Sequence, residues 1–110
     1  MTREFINVGE FDKCWKKLNL DDDELKELQG FLLDNPNAGD LIQGTGGLRK
    51  LRWALPQTGK SGGIRVLYID FTKQEKIMLV TCYGKNVKDN ISDNEKEAYR
   101  EFIKQIGKEI

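Results

Sequence analysis

Between Leu41 and Ile69 the chain carries Arg49, Lys50, Arg52, Lys60 and Arg65 and no acidic residue. The whole chain balances 18 basic against 18 acidic side chains, so this stretch is a local concentration of charge. Further on, Tyr83-Gly84-Lys85-Asn86 adds a phenol and another ammonium. Cations clustered on rigid elements can hold a phosphodiester and stabilise charge that develops at phosphorus. There is no histidine. That removes Ser-His-Asp and Cys-His nucleophilic schemes, His-zinc sites and the usual imidazole base. Catalysis, if any, must rest on Lys, Arg, Tyr and carboxylates.

On spacing alone, Arg49, Lys50 and Arg52 also fit a solvated strand face. Three features favour a binding surface. The cations are not interleaved with acids. Arg65 sits inside an apolar run, Ile64-Arg65-Val66-Leu67-Tyr68, where a lone guanidinium would be costly. Tyr83 and Lys85 close a neighbouring strand.

The elements that must position these groups follow from periodicity. Arg3 to Val8 is a short strand. Phe11, Cys14, Trp15 and Leu18 recur at helical spacing. A second helix starts at Asp21, with Glu24 at capping-box spacing and Leu20 and Leu25 placed as a staple. It stops at Asn35-Pro36, because the residue before proline avoids the helical region. Together these two helices form an αα-hairpin. Asn37 to Gly47 reads as a loop. Strands follow at Leu48–Leu55, Ile64–Phe71 and Ile77–Tyr83, with loops at Pro56–Gly63 and Thr72–Lys76. In the first of these, Lys50 and Arg52 share one face and Leu51, Trp53 and Leu55 the other. Ser92 and Glu95 cap a C-terminal helix striped by Ala98, Tyr99, Phe102, Ile103 and Ile106. The order β-α-α-β-β-β-α predicts one α+β domain over 1–110, a mainly antiparallel four-stranded sheet with an N-terminal αα-hairpin and a C-terminal helix.

Charge and composition narrow the function classes. Residues 1–40 carry five basic and ten acidic side chains. That acidic segment argues against tight non-specific DNA binding and suits a local site on an assembled nucleic-acid target. No run approaches the roughly 20 apolar residues of a membrane span, and no signal-peptide stretch is present, so a cytoplasmic protein without membrane contact is expected. Cys14 and Cys82 lack metal-ligand spacing and are read as reduced core thiols. No metal or other cofactor is expected.

Two motif likenesses are set aside. Ala54 to Ser61 reads as a relaxed P-loop, but Gly62-Gly63 and a β-prone run follow Lys60-Ser61, where that motif needs a helix. Asn90-Ile91-Ser92 matches a glycosylation sequon but reads better as a loop leading into the Ser92 cap. The Gly44–Gly47 loop has two open readings. Its glycines permit a tight turn into the next strand, or they let backbone N–H groups approach a phosphate.

Three segments carry a resemblance: Gly39 to Arg52, Gly59 to Tyr68, and Tyr83-Gly84-Lys85-Asn86. In these the chain resembles the RelE/ParE superfamily of type II toxins, in particular the HigB-like branch, and the element order agrees along nearly the whole chain. The resemblance implies a RelE-like fold and a ribosome-dependent mRNA endoribonuclease. It implies a cognate antitoxin, of the helix-turn-helix HigA-like kind, through which alone the toxin reaches operator DNA. By position, Lys50 and Arg52 match a basic pair and Arg65 a strand arginine. Tyr83 and Lys85 fall where the family places catalytic or RNA-contacting residues. Arg49, Lys60 and Lys88 are expected to bind RNA or ribosome. The RNA 2′-hydroxyl is the expected nucleophile, with no metal required. Arg65 and Arg52 would clamp the phosphoryl oxygens. Lys85 or Lys50 would act as base, since neighbouring cations favour a neutral amine. Tyr83 would stack or move a proton. A ParE-like toxin that inhibits DNA gyrase without cutting RNA remains open, as does a plain RNA-binding module.

Overall fold

A computed structural model of the chain describes residues 3–55, 63–85, 87 and 90–110. The elements run β1 (Glu4–Asn7), α1 (Gly9–Lys17), α2 (Asp22–Asp34), β2 (Asp40–Leu41), β3 (Leu48–Trp53), β4 (Ile64–Phe71), β5 (Lys76–Gly84) and α3 (Asp93–Glu109). The strands form one sheet in the order β1-β5-β4-β3-β2. β3, β4 and β5 are an antiparallel meander, and β1 lies parallel to β5 at one edge. This is the expected α+β fold with one addition. Asp40 and Leu41 pair with Lys50 and Arg49 as a fifth, two-residue strand inside the expected loop. Both residues are exposed, so no burial pattern announces the strand.

The sheet separates two cores. On one side Phe11, Trp15, Leu28 and Leu32 of α1 and α2 pack on Leu51, Ile64, Val66, Tyr68, Ile77, Leu79 and Cys82. On the other, Ile103 of α3 packs with Leu48, Leu67, Ile69, Met78, Val80 and Tyr83. β4 and β5 are therefore covered on both faces, which explains their nearly continuous apolar sequence.

Local chemistry fixes where the helices begin. The Asp21 carboxylate accepts the Glu24 N–H at 2.8 Å. Ser92 and Glu95 make both bonds of the capping box. The αα-hairpin closes through Asn19, whose φ of 60° lies in the left-handed region that asparagine tolerates. The Trp15 indole N–H donates to the Asp21 carbonyl at 3.0 Å across the same turn. At the sheet edge, the Arg3 guanidinium grips Asp70 through two bonds of 2.8 and 3.2 Å. That pair ties β1 to β4 across β5.

Tyr68 anchors the segment before β2. Its hydroxyl accepts the Gly39 N–H at 2.9 Å and donates to the Pro36 carbonyl at 2.8 Å. Burial raises its ionisation above the usual phenol value, against the lowering effect of the Gly39 bond. Tyr68→Phe should cost about 1–3 kcal/mol, because two backbone groups lose their partner at once. Urea unfolding would measure the loss, and faster hydrogen exchange at the Gly39 amide would locate it.

Both cysteines are free thiols. Burial, with smaller effects of Cys14 and Glu10, pushes the Cys82 thiol from 9.0 up to about 12. Burial likewise pushes Tyr99 from 10.0 up to about 12, helped by Glu10, Glu95 and Tyr83. Above pH 9 the unfolded thiol loses its proton while the folded one keeps it. Stability is therefore fully present below that point and falls as pH rises toward about 12. Urea midpoints should be level through neutral pH and drop in the alkaline range, less steeply in Cys82→Ala.

Among the described residues no helix is long and apolar enough to cross a membrane.

Candidate functional site

The register of the meander brings three of the expected groups into one line. Arg52 on β3 pairs with Arg65 on β4, and Arg65 pairs with Tyr83 on β5. Cross-strand partners project to the same face of a sheet. This row lies on the α3 side, where Tyr83 joins the core of Leu67 and Val80. It is deep at the centre and open at one end: Arg65 is 2% exposed and Tyr83 8%, whereas Arg52 is exposed.

A β-bulge puts Tyr83 on this face. Leu67 pairs with Thr81 but Tyr68 pairs with Leu79, so Val80 is an extra residue in β5. Ile77 and Leu79 pack toward α1 and α2, and strict alternation would send Tyr83 the same way. The extra residue shifts the alternation by one. Cys82 then joins the α1–α2 core and Tyr83 the α3 core.

Lys50 lies two positions from Arg52 on the same face, paired with Leu67. Its ammonium donates to the Asn90 side-chain oxygen at 3.1 Å. Lys85 follows the end of β5 in a turn closed by the Val87 N–H and the Gly84 carbonyl at 3.0 Å, and it is exposed. Arg49 is not brought to the row. It pairs with Tyr68 on the α1–α2 side, and its guanidinium donates to the Gly39 carbonyl at 2.8 Å. Strand alternation alone separates it from Lys50 and Arg52. Lys60, Lys88 and Asn86 lie outside the described residues, as does most of the Ala54–Ser61 likeness to a P-loop. The described chain resumes at Gly63 and runs into β4, a strand.

The Gly44–Gly47 loop has a firm structural role. Gly44, Gly46 and Gly47 have φ of 85°, 80° and 130°, values that L side chains adopt rarely. Between them the buried Thr45 hydroxyl donates to the Ile42 carbonyl at 2.6 Å and accepts the Leu48 N–H at 3.1 Å. These bonds set the start of β3 and hence its register.

Asp40 and Asn90 sit beside the expected residues without having been singled out. Asp40 pairs with Lys50 across β2 and β3, and Asn90 reaches Lys50 from the segment before α3. Asn90 is 40 residues from Lys50 in sequence, and no spacing signal links the two.

The chain belongs to the RelE toxin family: residues 4–109 match the family described as "RelE toxin of RelE / RelB toxin-antitoxin system". Solved structures agree on the fold. The chain is similar to a mutant of E. coli toxin RelE in the free state, with 17% identity and a TM-score of 0.60 over 96% of this chain and 99% of that one. It is similar to the mutant toxin in complex with an antitoxin RelBc peptide, at 20% identity and TM-score 0.57 over 89% and 95%. The isolated E. coli RelE toxin matches at 19% and 0.53 over 92% and 99%.

Proposed function

We propose that the whole chain, 1–110, is one toxin domain that cuts mRNA on the ribosome. The Arg52–Arg65–Tyr83 register carries this reading, because it lines two guanidinium groups and a phenol along one face. In the reaction the RNA 2′-hydroxyl attacks the adjacent phosphorus, and the 5′-oxygen of the next nucleotide leaves. The products are a 2′,3′-cyclic phosphate and a 5′-hydroxyl. Arg65 and Arg52 hold the non-bridging oxygens as negative charge accumulates; a guanidinium binds two oxygens at once and stays charged. Lys85, exposed just past the end of β5, or Lys50, acting as the neutral amine, takes the 2′-hydroxyl proton. Tyr83 passes a proton to the leaving oxygen, or it stacks on a base and solvent water supplies that proton. No step requires a metal.

The family's toxin–antitoxin pairing and the antitoxin peptide bound to E. coli RelE support a cognate antitoxin for this chain as well. The HigB-like branch, and with it a helix-turn-helix antitoxin that alone carries the toxin to operator DNA, rests on the sequence resemblance.

A translation reaction with end-labelled mRNA tests the reading. Cuts in phase with codons, present only with ribosomes, support it. Intact mRNA together with gyrase-dependent DNA breaks would replace it with the ParE-like alternative.

A further inference from the structure

Cys14 and Cys82 take no part in the Arg52–Arg65–Tyr83 row, yet the fold brings them to one place. α1 packs against β5. Cys82, 2% exposed, lies in the core between the sheet and the two N-terminal helices, and Cys14 packs on that same core. The Cys14 Sγ lies 3.7 Å from the Oγ1 of Thr81, the residue that precedes Cys82 in β5. Cys14 also helps to keep the Cys82 thiol protonated, so the two sulfurs are within electrostatic reach. Their access to solvent differs. Cys82 is sealed in, whereas Cys14 is half-buried and lines an open groove of about 610 Å³ with Glu10, Lys13, Lys16 and Lys17. A small polar oxidant therefore meets Cys14 first, and three ammonium groups stand ready to stabilise a departing anion. An accessible thiol poised next to a second, resolving thiol is the arrangement of a redox-sensing pair. Transient regulatory bonds of this kind are the usual form of disulfides in a reducing compartment.

From this geometry we propose that Cys14 and Cys82 form an intramolecular disulfide when the chain meets a hydroperoxide, and that the bond disturbs Tyr83. The Cys14 thiolate attacks one peroxide oxygen. The O–O bond breaks, an S–O bond forms, and hydroxide leaves, regaining from solvent the proton that the thiol gave up. The Cys82 sulfur then attacks the Cys14 sulfur. The S–O bond breaks, and the departing hydroxide takes the Cys82 proton and leaves as water. Two thiols are oxidised to one disulfide, and one peroxide is reduced to two waters. A disulfide holds its Cα atoms within about 7 Å, so the bond pins α1 to β5 at the residue before Tyr83. Tyr83 faces the other way, into the α3 core, and pairs with Arg65. A pull on Cys82 toward α1 retracts the phenol from that face. The effect on cutting rests on the nuclease reading; the bond itself does not.

The test separates the two. The reduced wild-type chain is treated with hydrogen peroxide, alkylated and mapped by mass spectrometry without reductant. A peptide that links Cys14 to Cys82 within one chain is expected. Cys82→Ser should stop at a sulfenic acid on Cys14, trapped by dimedone, and Cys14→Ser should leave Cys82 unmodified. An unmodified Cys14, a wild-type sulfenic acid that never proceeds to the link, or a link only between two chains would overturn the proposal. Freed of peroxide, the linked chain should cut mRNA in the translation reaction about tenfold or more slower than the reduced one. Dithiothreitol should restore the rate, and Cys14→Ser should cut equally fast before and after peroxide. Equal rates for linked and reduced wild type would overturn the effect on Tyr83. A chain that forms the link but cuts no mRNA even when reduced would remove the nuclease reading and leave the disulfide standing.

Discussion

Arg65→Ala and Arg65→Lys should each lower mRNA cleavage by roughly 10²–10⁴-fold while the chain still folds. The two variants fail for different reasons. Arg65 is 2% exposed, so alanine removes a packed stem as well as a charge, and about 1–3 kcal/mol of stability goes with it. Lysine keeps the charge and most of the stem but loses the planar fork that the proposed mechanism sets on two phosphoryl oxygens. Arg65→Lys therefore isolates the geometry of the contact. Circular dichroism and urea unfolding check the fold, and cleavage of ribosome-bound mRNA gives the rate. A folded Arg65→Lys with the wild-type rate would remove the clamp from the mechanism.

The largest effect on stability is expected from Gly63→Ala. Gly63 has φ of +51°, and a Cβ there would lie 2.1 Å from the Trp53 carbonyl oxygen. That neighbour is backbone at the end of β3, so no rotamer change relieves the clash. One strand would have to move relative to the other, at the point where Trp53 pairs with Ile64 and Arg52 with Arg65. A loss of about 3 kcal/mol follows, or roughly 10–20 °C in Tm. Activity should fall further than stability explains, because the displaced pair is two of the row's three members. Gly30→Ala is the matched control. Gly30 lies within α2 with open space around its missing side chain, so alanine there should add about 0.5–1 kcal/mol. Equal melting of Gly63→Ala and wild type would mean that the β3–β4 ends are not held as described.

The α3 start was legible because Ser92 and Glu95 satisfy backbone donors locally, and local chemistry does not depend on the rest of the fold. The shared face of Lys50 and Arg52 was legible because charged and apolar residues alternate from Lys50 to Trp53. By the same alternation Arg49 belongs to the opposite side, with the Gly39 carbonyl as its partner. Tyr83 is different. β5 is buried from Ile77 through Tyr83, so neither face bears a polar mark and the extra residue at Val80 leaves no trace in the pattern. β2 was illegible for the opposite reason: two exposed residues are held in place by pairing with β3. The Lys50–Asn90 contact depends on docking α3 against the sheet, a long-range event that no local motif encodes.

The central claim is that Arg52 and Arg65 act together on one phosphate. Single-turnover cleavage of ribosome-bound mRNA by wild type, Arg52→Ala, Arg65→Lys and the double variant tests it most directly. Groups that act as a unit are strongly non-additive. The prediction is a large loss in each single variant and a double variant little slower than the worse of the two. Single variants that cut at the wild-type rate, or losses that simply multiply in the double variant, would contradict it.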